Sequence, residues 1–296
     1  MDAAMTERLV EAQRNEITEH HVYLRLAARE KNPANRDVLE RIAADERKHY
    51  EFWGERTGQA PPPRRGKLLK YTWLARLLGL TFAIKLMERG EEGAQVNYAE
   101  VAEHVSEARG IIEDEEKHEK ALVAMLDEER LRYVGSVVLG LSDALVELTG
   151  ALAGLTLALQ NNRLIALIGL VTGVAASLSM AASEYLSTKS EAADAASGDD
   201  AVKSPIKAAT YTGIAYVFAV AALVAPFLLL ETPVLALGVS LAAAMAIVFV
   251  FTYYISVARD LPLGRRFGEM AGLVLGVSAL SFGIGFLLRL ALGVEV

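Results

Sequence analysis

The sequence predicts an all-α protein in two parts, a soluble four-helix bundle followed by five membrane-spanning helices. Composition is the first of three observations behind this. Apolar residues make up 53% of the 296 and charged residues 23%, but residues 1–132 hold 26 acidic and 22 basic residues and all five histidines, whereas the remaining 164 hold 11 and 8. The second observation is a doubled Glu-x-x-His, Glu46-Arg-Lys-His49 and Glu115-Glu-Lys-His118, each preceded by Glu-x6-Tyr at Glu16 to Tyr23 and Glu91 to Tyr98. The third is that from about Val134 the chain becomes a run of apolar segments of membrane-crossing length. Domains at 1–130 and 131–296 follow.

The first helix is expected over residues 5–30, with a mixed charged surface, and Asn32-Pro33-Ala34-Asn35 breaks it. A second runs from about Arg36 to Arg56 and stops at Gly58, before Pro61-Pro62-Pro63. A third begins near Thr81 and reaches about Val105, and a fourth covers roughly Ala108 to Glu129. Between the second and third, residues 66–79 place Lys67, Lys70 and Arg76 beside Leu69, Trp73, Leu77 and Leu80. Such a basic amphipathic helix suits a membrane surface or a partner helix, and equally a crossover packed on the bundle.

Residues three apart on a helix share a face, so each Glu-x-x-His aims a carboxylate and an imidazole the same way, and Glu88 with Glu91 does likewise. Di-iron bundles take one Glu from each of two helices and Glu-x-x-His from each of the other two. Here that pattern selects Glu16, Glu91, Glu46 with His49, and Glu115 with His118. Either copy alone could be a solvated pair of charges, but the repeat argues against chance. His20, His21 and His104 have no such partners and read as surface or supporting residues. The chain has no cysteine, so disulfides, thiolate sites and iron–sulfur clusters are excluded and any metal takes oxygen and nitrogen ligands.

Ala44-Asp45-Glu46-Arg47-Lys48-His49 and Glu115-Glu116-Lys117-His118-Glu119-Lys120 resemble the rubrerythrin and ferritin-like family over residues 5–130. The resemblance implies two irons bound by Glu16, Glu46, His49, Glu91, Glu115 and His118, with Glu88 as a seventh candidate. The cysteine-bound iron domain of rubrerythrins is missing, and with it their electron route.

Five spans can be drawn, at about Val134 to Gln160, Leu164 to Leu186, Ala208 to Leu230, Pro233 to Val257 and Met270 to Leu292, with the polar stretch Ser187 to Lys207 as a connection. The N-terminus does not resemble a secretory signal, which places the first domain in the cytosol. Inside loops then carry Arg130, Arg132, Lys189, Lys203, Lys207, Arg259, Arg265 and Arg266, and the opposite side only Arg163. This asymmetry orients the N-terminus in and the C-terminus out. The net charge of −7 does not suit nucleic-acid binding.

The first span carries a stripe of Ser136, Gly140, Asp143, Glu147, Gly150 and Gly154, and the second a face of Gly169, Gly173, Ser177, Met180 and Glu184. Carboxylates at membrane depth are costly unless they face a cavity or partner, so they mark a polar path. Met180 alone would read as packing, and beside Glu184 it offers a thioether to that path. Gly268, Gly272 and Gly276 in the fifth span, like Gly150 and Gly154, are spaced for close helix contact, and a packed dimer is the simplest arrangement.

Gly140-Leu-Ser-Asp143-Ala-Leu, Ser177-Leu-Ser-Met180-Ala-Ala-Ser-Glu184-Tyr-Leu and the five spans resemble the vacuolar iron transporter family over about residues 132–294. That resemblance implies a dimer moving ferrous iron, sometimes manganese, out of the cytosol against protons, with Asp143 and Met180 as pathway ligands and Glu147 and Glu184 nearby. The loop after the second span lacks the metal-collecting domain of plant members, and the N-terminal bundle could replace it. The combination is similar to bacterial membrane-bound ferritins of the inner membrane. The expected function is proton-coupled export of Fe2+, with Mn2+ accepted by the same ligands. The alternatives are a membrane-tethered di-iron ferroxidase or peroxide-scavenging oxidase, and an iron sensor that gates the spans.

Overall fold

The computed structural model describes residues 3–87, 89, 108–125, 133–194, 203–259 and 261–292. The chain divides into two compact units, Met1–Glu128 and Glu129–Val296, and the described residues are helical with no strand among them. In the first unit these are α1 (Ala3–Ala27), α2 (Pro33–Thr57), α3 (Arg65–Leu78), α4 (described over 80–87) and α5 (Ala108–Met125). The second unit contains α6 (Val134–Leu159), α7 (Asn162–Asp194), α8 (Pro205–Leu229), α9 (Pro233–Ala258) and α10 (Leu263–Leu292).

The Asn32-Pro33 break is also a start. The Asn32 side chain accepts from the Ala34 amide at 3.0 Å and Pro33 occupies the first turn of α2, where its missing N–H costs nothing. At the other end Gly58, at φ 64°, donates to the Gly54 carbonyl and closes α2 in the left-handed conformation.

Two apolar clusters stabilise the first unit. One joins Val22 and Leu26 of α1 to Leu39 and Ile42 of α2, Tyr71 of α3, Ile84 of α4 and Leu122 of α5. The other joins Leu9, Trp53 and Ile111. Along α1 the order is Leu9, Glu16, Val22, along α5 Ile111, Glu115, Leu122, and along α2 it reverses to Ile42, Glu46, Trp53. A polar layer therefore lies between two apolar layers of the same bundle, and within it Glu16 and Glu46 are fully buried.

All five helices of the second unit are long and apolar enough to cross a membrane, as a multi-pass protein requires. Their outward residues include Val171, Leu178, Ile214, Phe218, Leu229 and Leu287, all more than half exposed. Such a surface suits lipid rather than water, and the helical backbone leaves few polar groups unpaired there. Their inner core is built from Leu145, Leu148 and Leu152 of α6, Ile165 of α7, Tyr216 and Leu223 of α8, Val248 of α9 and Val274 of α10. Asn162 Nδ2 donates to the Leu230 carbonyl at 2.6 Å, tying the start of α7 to the end of α8.

Two boundaries differ from expectation. The helix that holds the second span does not stop at Leu186 but continues as α7 to Asp194, and the helix that holds the fifth begins at Leu263, ahead of Met270. Hydropathy detects where lipid ends, whereas Lys189, Glu191, Ala192 and Ala193 are good helix formers and Ser187 Oγ donates to Glu191 at 3.3 Å.

The glycines also divide. A Cβ at Gly150 or Gly154 would press on Ser281 of α10, one at Gly285 on the Gly154 carbonyl, and one at Gly140 on the Thr212 backbone of α8. Among the described residues nothing from another helix lies within 4 Å of a Cβ at Gly268, Gly272 or Gly276. Among those residues the expected close contact is therefore not made within the chain. Gly140→Leu should force α6 from α8 and destabilise the unit by about 1–3 kcal/mol, read as a lowered Tm in detergent, while Gly272→Leu should leave Tm unchanged in the monomer.

Candidate metal centre

Helices α1, α2 and α5 bring Glu16, Glu46, His49 and Glu115 together, with one ligand atom from each within 4.8 Å of all the others. Nδ1 of His49 faces Glu46 Oε2 at 3.4 Å, Glu115 Oε1 at 3.5 Å and Glu16 Oε2 at 3.6 Å. His118 joins them, its Nδ1 lying 3.2 Å from Glu46 Oε1 and 3.8 Å from Glu115 Oε2. The two imidazoles thus flank Glu46, one on each carboxylate oxygen, with ring centroids 5.9 Å apart. Glu88 and Glu91 lie outside the described residues.

The far side of each imidazole meets an aspartate from the other motif. His118 Nε2 is 3.4 Å from Asp45 Oδ2, and His49 Nε2 is 3.7 Å from Asp114 Oδ2. Each aspartate is in turn paired to the lysine three residues on, Asp45 with Lys48 at 2.6 Å and Asp114 with Lys117 at 2.8 Å. Five-residue units, Asp-Glu-x-Lys-His, therefore face each other reciprocally. At His118 the Asp45 carboxylate is within hydrogen-bond reach, and a carboxylate so placed behind a ligand imidazole fixes its tautomer and leaves the front nitrogen for a metal; Asp114 stands behind His49 beyond that reach.

Trp53 completes the site. Its ring is fully buried, and Nε1 donates to Glu16 Oε1 at 3.3 Å. Sequence reading missed Asp45, Asp114 and Trp53. The doubled Asp before each Glu-x-x-His was a visible signal for the first two, and a Trp four residues after His49, on the same face, for the third.

The electrostatics are those of a cation site holding protons. Burial, with Glu46 and Glu115 close by, raises the Glu16 carboxyl to about 8. Burial would also raise Glu46, but the imidazoles of His118 and His49 beside its two oxygens outweigh it and hold Glu46 at about 2. Burial would lower the imidazoles, yet their carboxylate partners raise His49 to about 12 and His118 to about 10. Glu46 Oε2, both ring nitrogens of His49 and Nδ1 of His118 are nonetheless buried with no hydrogen-bond partner. Buried polar atoms are rarely left so, and oxygen and imidazole donors converging on one point fit a divalent ion such as Fe2+.

Metal must therefore displace protons from Glu16, His49 and His118, and affinity should rise with pH through the neutral range. Titrating Fe2+ anaerobically into weakly buffered protein with a pH dye should show acid release. Binding without proton release would contradict the protonated centre.

The membrane unit carries its polar groups on facing helices. Ser136 Oγ donates to Glu184 Oε1 at 2.5 Å, linking α6 to α7. Tyr216 of α8 donates its hydroxyl to Glu147 Oε2 at 2.9 Å, and Thr212, one turn earlier, donates to the Ser136 carbonyl at 3.0 Å. Asp143 is half-buried one turn before Glu147, which is exposed in the single chain. Met180 is half-buried against the core of the unit. Thr212 and Tyr216 were missed in the sequence, although two polar residues at i and i+4 in an apolar span were the available signal.

Residues 7–126 match the rubrerythrin family model, and residues 134–199, which span α6 and α7, match that of the VIT family. The chain thus joins a segment similar to rubrerythrin to one similar to the VIT family. No curated protein matches it. The two matches together support an iron transporter joined to a ferritin-like domain, with a metal ion as substrate and iron as the ion the rubrerythrin domain suggests. Glu16, Glu46, His49, Glu115 and His118 fall within the rubrerythrin match, and Asp143, Glu147, Met180 and Glu184 within the VIT match.

Proposed function

We propose that the protein exports cytosolic ferrous iron across the bacterial inner membrane in exchange for protons, the rubrerythrin-type domain capturing the ion and the VIT-family domain passing it outward. The observation that carries this reading is the pairing in one chain of a buried Glu/His centre with spans that hold Asp143, Glu147 and Glu184. A single anchor would need neither five spans nor acids at membrane depth. The same donors accept Mn2+.

Glu16, Glu46, His49, Glu115 and His118 would hold iron in the bundle, with Glu91 and Glu88 completing the set. Iron resident there supplies one-electron redox chemistry. The residues themselves bind, exclude water through the apolar layers on either side, and give up protons when metal arrives. Asp143 and Met180 offer the pathway a carboxylate and a thioether. A carboxylate in lipid needs either a proton or a cation, so Fe2+ entering the path expels a proton and reprotonation releases Fe2+. The donors on Glu147 and Glu184, Tyr216 and Ser136, hold those carboxylates in place between cycles. The N-terminus lies in the cytosol and the C-terminus outside. Two copies form a dimer, for which Gly268, Gly272 and Gly276 offer a close-approach face.

Purified protein in proteoliposomes under a pH gradient should move Fe2+ one way and protons the other, followed with a metal-quenched dye and a pH dye. Metal flux that ignores the gradient would remove the coupling, and no flux in either direction would remove the transport.

A further inference from the structure

Large apolar side chains are scarce on the surface of the first unit. Among its described residues only Leu24, Leu69, Trp73 and Leu77 are exposed, and the last three stand at i, i+4 and i+8 on α3, with exposures of 55%, 58% and 63%. The opposite face of the same helix is already used, since Leu68 and Tyr71 are buried in the bundle core. A crossover helix serving only the bundle would be polar on its outer side. This one is apolar on both.

The stripe is bordered by exposed Arg65, Lys70 and Arg76, and residues 65–78 contain no acid, in a chain of net charge −7. Arg76 lies over the Trp73 ring, 6.0 Å from its centroid. A tryptophan and leucines framed by cations match the boundary between acyl chains and anionic headgroups. In the sequence only residues 129–133 lie between the first unit and α6, so the helix is tethered to the bilayer and docking is intramolecular in effect. A second copy suits the face less well. Isologous packing would lay the stripe on itself and crowd both sets of Arg65, Lys70 and Arg76 together.

We infer that α3 is a lipid-docking helix, seating Leu69, Trp73 and Leu77 in the interface of the bilayer that α6–α10 cross, with Arg65, Lys70 and Arg76 on anionic headgroups. This surface is independent of the metal centre and of the transport reading.

The chain supplies its own probe. It has two tryptophans, Trp53 fully buried and Trp73 on the stripe, and the five spans contain none. Full-length protein in nanodiscs of phosphatidylglycerol and phosphatidylcholine, with brominated or ordinary acyl chains, reads contact directly. Wild-type emission should fall substantially in brominated lipid, whereas W73F, which reports Trp53 alone, should not change. The quenching should diminish in K70E/R76E and in purely zwitterionic nanodiscs. Equal wild-type emission in the two lipids would overturn the inference, as would quenching that survives in W73F. It would also be overturned if Trp73 emission responded to protein-to-lipid ratio and not to bromine, the signature of a second copy on this face. Quenching unaltered in K70E/R76E would remove the headgroup contact.

Discussion

Replacing Glu46 and His49 together with alanine abolishes metal binding by the rubrerythrin-type domain. Glu46 is the carboxylate that both imidazoles approach most closely, at 3.4 Å and 3.2 Å, nearer than Glu115 at 3.5 Å and 3.8 Å, so its loss removes the group on which the two halves converge. His49 faces three carboxylates through a single nitrogen. Without both, Glu16 and Glu115 remain as an acidic pair with no imidazole between them, and the ion loses its nitrogen donor on that side. Anaerobic titration with Fe2+ should show the tight sites gone, where the wild type retains metal through gel filtration. The fold is expected to persist, because the flanking layers of Leu9, Trp53 and Ile111 and of Val22, Leu39 and Leu122 stay intact. Glu46 and His49 leave together, so neither stays behind as the uncompensated partner of the other. Wild-type affinity in the double variant would show that the metal binds elsewhere.

Much of this centre was legible in the sequence because helical geometry makes it so. A Glu and a His three apart must share a face whatever the fold, and two copies on separate helices make convergence the economical arrangement. The partners behind the ligands were not legible in the same way. Asp45 serves His118 and Asp114 serves His49, each reaching across to the other motif, and only the packing of α2 on α5 decides that. Trp53 likewise reads as a core aromatic until its N–H is seen on Glu16. In the membrane unit the acids announced themselves through cost. Thr212 and Tyr216 did not, because one hydroxyl in an apolar helix has many local ways to be satisfied. The helix past Leu186 was hidden for a different reason: polarity ends a span without ending a helix.

Asp143→Ala should abolish Fe2+ flux and leave metal binding in the bundle unchanged. Asp143 lies half-buried in α6, one turn from Glu147, and the spans otherwise present few charges to a cation. An unpaired divalent ion in that environment is strongly disfavoured, and losing a carboxylate ligand raises the barrier to passage by several kcal/mol. Its substitution opens no cavity in the apolar core. Asp143→Asn keeps the shape and removes the charge, so it should fail as completely as Asp143→Ala if the carboxylate itself binds metal and proton. Tyr216→Phe should be milder, since it removes only the donor that holds Glu147. Wild-type flux in either Asp143 variant would exclude this residue from the path.

The proposed function makes capture by the bundle and passage through the spans one route, and a single kinetic comparison in proteoliposomes tests that claim most directly. Initial rates of Fe2+ transport are measured from limiting to saturating Fe2+ for wild type and for Glu46→Ala/His49→Ala, with the N-terminal side facing the supply. The account predicts that the variant transports much more slowly at limiting Fe2+ and approaches the wild-type rate at saturation, because the collecting site is lost and the path is intact. Superimposable curves at every Fe2+ concentration would contradict it, and would leave the bundle with a task separate from export.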